Sequence, residues 1–229
     1  MIWCEFIGVW GSGKSTIINL LKKELSSSGY RVLTIHSFFG LPLSVKIYET
    51  FKLFLTNPLT LFYFMKLLII TRKYADRNNG KINRGLLRTM LKTYIFRQIT
   101  IKKHSADLVF WEGEFHLLTL MLKNTDAYSE FYSNLRKLFN LSDIEFIVID
   151  INQNIAIDRI HKDKESGTEV RHNIDDKEGL INLLDRTERN QSNLISFLLE
   201  FGCAIKQFDS NEDFDILNLL AHIKTKLAL

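Results

Sequence analysis

The residues best suited to chemistry in this sequence are contiguous: Gly8-Val9-Trp10-Gly11-Ser12-Gly13-Lys14-Ser15-Thr16. Glycine, four residues, then glycine, lysine and serine is the spacing of a loop that cradles the phosphates of a nucleoside triphosphate. Gly8, Gly11 and Gly13 let the main chain take turns and close approaches that a Cβ would block, so its N–H groups can converge on phosphate oxygens. Lys14 supplies a cation between the β- and γ-phosphates, and the Ser15 hydroxyl is a ligand for Mg²⁺. Ser12 and Thr16 complete the binding stretch, and a helix starting there would add its positive N-terminal end. The expectation is a site for ATP with Mg²⁺.

Such a loop works between a buried strand and a helix, and the flanking sequence offers both. Residues 1–9, MIWCEFIGV, form a short apolar run ending beside glycine, as suits a buried parallel strand. In residues 14–29, Ile17, Leu20, Leu21 and Leu25 recur at helical spacing and Gly29 is placed to stop the helix. YRVLTIHSF (30–38), ADLVFWEGEF (106–115) and DIEFIVIDI (143–151) read as three more strands, and GCAIKQFD (202–209) as a weaker fifth. Helical patterns fill the gaps at 43–55, 59–74 after a break at Asn57-Pro58, 86–103, 117–140, 155–161, 180–201 and 214–229. Strands alternating with helices predict one α/β domain over residues 1–229, with a parallel sheet and right-handed crossovers.

In a sheet of this kind ligands bind beyond the carboxyl ends of the strands. The residues there are the phosphate loop, then His36 and Ser37, then Glu112, Gly113 and Glu114, then Asp150 and Asn152, then Asp209 and Ser210. A carboxylate that ends a buried strand is costly unless solvated, paired or bound to a cation. Glu112 can hold Mg²⁺ or accept a proton from an attacking hydroxyl, and Glu114 can take the second task while Glu112 takes the first. The plainer use of either is to cap the helix that follows.

Composition narrows the setting. The two cysteines, Cys4 and Cys203, fit no metal or redox spacing, which suggests an intracellular, cytoplasmic protein without a disulfide framework. The N-terminus lacks a basic region and a cleavage site, so no signal peptide is expected. The most apolar stretch, residues 51–70, is broken by Lys52, Pro58 and Lys66, and its uncharged run is shorter than the ~20 residues of a bilayer span. Residues 38–104 carry 13 Lys and Arg against two acidic residues, Glu49 and Asp76, although the whole chain is only +4. That segment is also rich in Phe and Leu. It reads as core or a homodimer interface, or as a surface for an anionic acceptor or an acidic membrane; nucleic acid is not expected as a partner.

The C-terminal half carries a family resemblance. EFIVIDINQNIAIDRIHKDK (145–164) is similar to the thymidylate kinase family, in which the fourth strand leads into a helix start with Asp150, Ala156, Arg159 and Ile160 at its marked positions. KESGTEVRHN (164–173) resembles the mobile LID of that family, and QFDSNEDFDILNLLAHI (207–223) its last strand and helix. The resemblance covers the phosphate loop and residues from about 107 onward, and fades between 38 and 104.

It implies a P-loop NTPase three-layer sandwich: a five-stranded parallel sheet of order 2-3-1-4-5, a helical insertion at about 38–104 on the acceptor side, and a LID at about 161–175. It also implies phosphoryl transfer from ATP to thymidylate or another nucleoside monophosphate, with Arg159 and Arg171 offsetting charge on the transferring group. Arg159 can instead pair with Asp163 one helical turn on. The acceptor side departs from the family. Ile35-His36-Ser37-Phe38 replaces its acidic-proline-glycine motif, and Glu112-Gly113 replaces its Asp-Arg.

Other users of such a loop fit less well. No N/T-K-x-D base-reading motif of a GTPase and no LSGGQ-like signature of a transporter subunit is present. The remaining rivals are a kinase of a sugar, glycan or lipid-linked envelope precursor, and an ATPase or regulatory nucleotide binder with no small acceptor.

Overall fold

The computed structural model describes residues 1–34, 42–56, 106–112, 141–165, 177–210 and 216–228, with residue 133 and a few positions between 58 and 69. Among the described residues five strands are present: β1 (Ile2–Ile7), β2 (Val32–Thr34), β3 (Leu108–Trp111), β4 (Ile144–Asp150) and β5 (Ala204–Asp209). All pair in parallel in the order β2-β3-β1-β4-β5, the order the resemblance implies. The helices, numbered along the described residues, are α1 (Lys14–Ser27), α2 (Leu43–Thr56), α3 (Gln153–Glu165), α4 (Lys177–Glu200) and α5 (Ile216–Leu227).

β1 lies at the centre and is buried on both faces, with Glu5 as its one charged residue. Cys4 and Phe6 join Ile17, Ile18, Leu21 and Leu25 of α1, Phe110, Ile147, Ile149, and Leu219 and Ile223 of α5 in one buried cluster. Trp3 and Ile7 are equally buried on the opposite face, where Trp3 meets Trp111 in a tilted pair with ring centroids 5.5 Å apart. On that side Val9, Ala156, Ile157 and Ile160 pack with Leu180 and Leu184 of α4. At about 25 cal/mol per Å² of apolar surface removed from water, this two-sided burial dominates the stability of the sheet. β2 and β5 are the edge strands, and β5 is largely exposed, which explains its mixed sequence.

Helix limits follow local chemistry. α1 begins after Gly13, whose φ of 80° few other residues adopt, and ends before Gly29 at φ 89°, where Tyr30 N–H donates back to Leu25 O at 3.1 Å. Asn152 caps α3: its side-chain oxygen accepts from Asn154 N–H at 2.9 Å and its carbonyl from Ala156 N–H at 3.0 Å. Nothing between Lys162 and Glu165 breaks a helix, so α3 runs through the first residues of the LID segment; 166–175 lie outside the described residues. Among the described residues, no helix is long and apolar enough to cross a membrane.

Candidate phosphate-binding site

β1 delivers the glycine loop at its carboxyl end and α1 carries the loop away. Gly8 leaves no room for a side chain, since a Cβ there would stand 2.7 Å from Ile149 O and 2.8 Å from Ser12 Oγ. Gly11, at φ 74°, rests on the first turn of α3, where a Cβ would meet Ala156 O at 2.5 Å. Both glycines are therefore required by close approach.

Lys14 is 4% exposed and folds back over the loop. Its ammonium donates to Gly8 O and Val9 O, each at 2.8 Å, and to Ser12 Oγ at 3.1 Å. Burial holds it below the ordinary lysine value, and Glu112, 3.7 Å away, pulls it partly back. Glu112 stands just past β3, whose four residues are all fully buried, so the strand fixes the carboxylate in place. Its second oxygen accepts from Ser15 Oγ at 3.1 Å. A carboxylate and a hydroxyl oxygen side by side, at the positive end of α1, are hard donors of the type Mg²⁺ takes alongside phosphate oxygens and water.

Arg159 approaches from α3. One guanidinium nitrogen donates to Gly11 O at 3.3 Å and Ser210 Oγ at 3.0 Å, and the other to Ser210 O at 2.9 Å. Ser210 Oγ in turn donates to Ser12 O at 2.9 Å. Asp150 and Asp209 end β4 and β5 as register partners. Burial first, then Asp209 and Glu188, push the Asp150 carboxyl above its ordinary value, and a hydrogen bond from Gln191 at 3.2 Å opposes them.

The structure thus brings Gly8, Gly11, Ser12, Gly13, Lys14, Ser15, Glu112 and Arg159 together, with Thr16 in the first turn of α1. Glu114, Arg171, His36, Ser37 and Gly113 lie outside the described residues. Sequence reasoning noted Ser210 only as a residue ending a strand and gave it no role. The available signal was its position beyond β5, on the same edge of the sheet as the loop.

A glycine loop between the central strand and its helix, with a carboxylate ending the adjacent strand of a 2-3-1-4-5 sheet, defines a P-loop NTPase domain. The model of the KAP family P-loop domain matches residues 6–200, and the chain belongs to that family. Among solved structures, deoxyadenosine kinase from M. mycoides with bound dATP shares the fold, at 18% identity and a TM-score of 0.51 over 100% of both chains. The same kinase with bound dCTP matches at 16% identity and a TM-score of 0.45, covering 99% of each chain. No curated protein matches the sequence.

Proposed function

We propose that this chain is an ATP-dependent phosphotransferase that moves the γ-phosphate of MgATP to a small, anionic acceptor. The observation that carries the proposal is the convergence of Lys14, Ser15 and Glu112 at the carboxyl ends of β1 and β3. Ser15 and Glu112 would hold Mg²⁺, which when bound offsets phosphate charge. Lys14 neutralises the triphosphate and the loop N–H groups bind it, so the transferring group meets fixed dipoles in place of water. Glu112 or Glu114 accepts the acceptor's proton, and Arg171 takes the charge-offsetting role that the resemblance to thymidylate kinases gives it, whereas Arg159, given the same role by that resemblance, donates to Gly11 O and Ser210. That resemblance also favours a nucleoside monophosphate, thymidylate among them, as acceptor.

Changing Lys14 to Ala is expected to abolish transfer and leave the fold intact; full transfer by that variant refutes the assignment. A screen with γ-labelled ATP separates the rivals. A labelled nucleoside diphosphate supports the nucleotide reading, a labelled sugar or lipid-linked precursor moves the acceptor to envelope chemistry, and free phosphate alone indicates an ATPase. Glu112-Gly113, where the family has Asp-Arg, favours keeping the second and third open.

The described part of the 38–104 insertion adds a contact surface. Ile47, Tyr48, Phe51 and Leu55 share one face of α2, each 60–70% exposed, and Leu59, Phe62 and Ile69 are exposed beyond it. The surplus of cations in this segment favours an acidic lipid surface, because a second copy would set the same charge against itself. Flotation with phosphatidylserine vesicles is expected and should weaken with salt. Dimerisation without vesicle binding would assign the face to a homodimer.

A further inference from the structure

The carbonyls of Gly8, Val9, Gly11 and Ser12 all accept hydrogen bonds from side chains. Lys14 serves Gly8 and Val9, Arg159 serves Gly11, and the Ser210 hydroxyl serves Ser12. Lys14 belongs to the glycine-loop pattern. Arg159 and Ser210 do not: one stands on α3, 148 residues from Gly11, and the other just after β5, 198 residues from Ser12.

A trans peptide points its C=O and its N–H in opposite directions. Holding the Ser12 carbonyl back against Ser210 therefore turns the Gly13 N–H the other way, toward the N-terminal end of α1, where an anion is favoured. We propose that Arg159 and Ser210 are positioning residues that set the shape of the phosphate cradle by holding the Gly11 and Ser12 carbonyls away from it. The proposal rests on the phosphate-binding reading above and adds a source of preorganisation from outside the motif.

The local chemistry leaves little freedom in this clasp. An arginine N–H can only donate, so Ser210 Oγ must accept from Arg159, and its own proton is left for Ser12 O. Ser210 is 3% exposed, which limits replacement of its hydroxyl by bulk water. The clasp also packs on the loop's turning residue: a Cβ at Gly13 would lie 3.4 Å from Arg159 Nη1 and 3.9 Å from Ser210 Oγ. The two cationic-donor bonds to Ser210 are of the stronger, charge-assisted type. Through them α3 and the connection after β5 have a direct hold on the cradle.

Calorimetric titration of the full chain with MgADP and with tripolyphosphate tests this, because tripolyphosphate has no base or sugar to contact. Ser210→Ala is expected to lower affinity for both ligands by a similar factor, about 3–10-fold, the range one hydrogen bond supplies. Ser210→Thr keeps the hydroxyl and should restore most of the loss. Arg159→Lys keeps the charge but loses the fork, and should weaken both ligands at least as much. Adding Ser210→Ala to Arg159→Lys should then cost less than the product of the two single losses, since they remove one unit.

Unchanged affinity in Ser210→Ala overturns the proposal, and so does a lowered thermal midpoint with affinity intact, which marks a structural brace. Full affinity in Arg159→Lys also overturns it, by giving Arg159 the role of a bare charge. An unaltered protein that binds neither polyphosphate refutes the phosphate-binding reading and the clasp with it. One that binds both, indifferent to Ser210→Ala, refutes the clasp alone.

Discussion

Replacing Glu112 by Gln tests the site most sharply, because it removes a charge and almost no volume. Two unit charges near 4 Å attract by about 4 kcal/mol near a protein surface before desolvation is counted. Lys14 is 4% exposed, Glu112 25%, and Lys14 keeps three oxygen acceptors, so a net loss of about 2 kcal/mol is expected, between the values for exposed and buried pairs. For a chain of this size that lowers the thermal midpoint by about 4–8 °C.

Ligand binding should respond with opposite signs in two conditions. With Mg²⁺, affinity for ADP should fall by about 10–100-fold, as when a group that orients a metal is removed. In EDTA it should rise, because the lost carboxylate sat 3.1 Å from Ser15 Oγ and repelled naked phosphate. The pH response follows from Lys14, whose ammonium burial holds low and Glu112 raises. Phosphate needs the protonated form, so binding is lost as pH climbs through the folded-state value; without Glu112 that value drops further and the alkaline limit moves to lower pH. Linkage gives the matching stability trend. The folded state releases this proton before the unfolded chain does, so stability attributable to Lys14 rises with pH through that window. Equal loss of ADP affinity with and without Mg²⁺, or an unmoved alkaline limit, would refute this account of Glu112.

Gly11→Ala forces a Cβ to 2.5 Å from Ala156 O at a φ of 74°, and should cost about 2 kcal/mol or more and abolish nucleotide binding, as thermal melts and titration would show. Asp150→Asn keeps the acceptor for Gln191 and removes a carboxylate whose pKa is raised in the folded state. Its ionisation opposes folding above that value, so the variant should melt higher at neutral pH and lose the advantage in acid. Glu145, nearly buried, accepts from His222 at 2.8 Å and pairs with Lys226 at 3.3 Å, pinning α5 to β4. Glu145→Ala should cost about 1–3 kcal/mol, less at high salt, read by denaturant titration.

The sheet was legible because its strands other than β5 are short, largely apolar runs bounded by turn residues, and the loop because its glycines answer to backbone sterics written locally. Glu112 was legible as a strand-end carboxylate. The bond from Ser210 to Ser12 was not, because its partners meet only once β5 is laid beside β4 and no local pattern marks a serine for that contact. Arg159 likewise had a local alternative in Asp163, and its reach to Gly11 depends on α3 lying against the loop. The acceptor side stayed illegible for a different reason: residues 38–104 depart from the resembling family just where an acceptor would be held.

The position of β1 at the middle of the sheet also has a history in time. Trp3 pairs with Val109 on one side and Ile144 on the other, so β1 leaves the ribosome more than a hundred residues before either neighbour exists. Until then IWCEFI, an apolar segment of high strand propensity, has no native partner to cover it, and parallel pairing over such separations is slow. The cradle hangs from the end of that strand. A fusion that crowds β1 during synthesis is therefore expected to reduce folded yield more than the same fusion placed after α5.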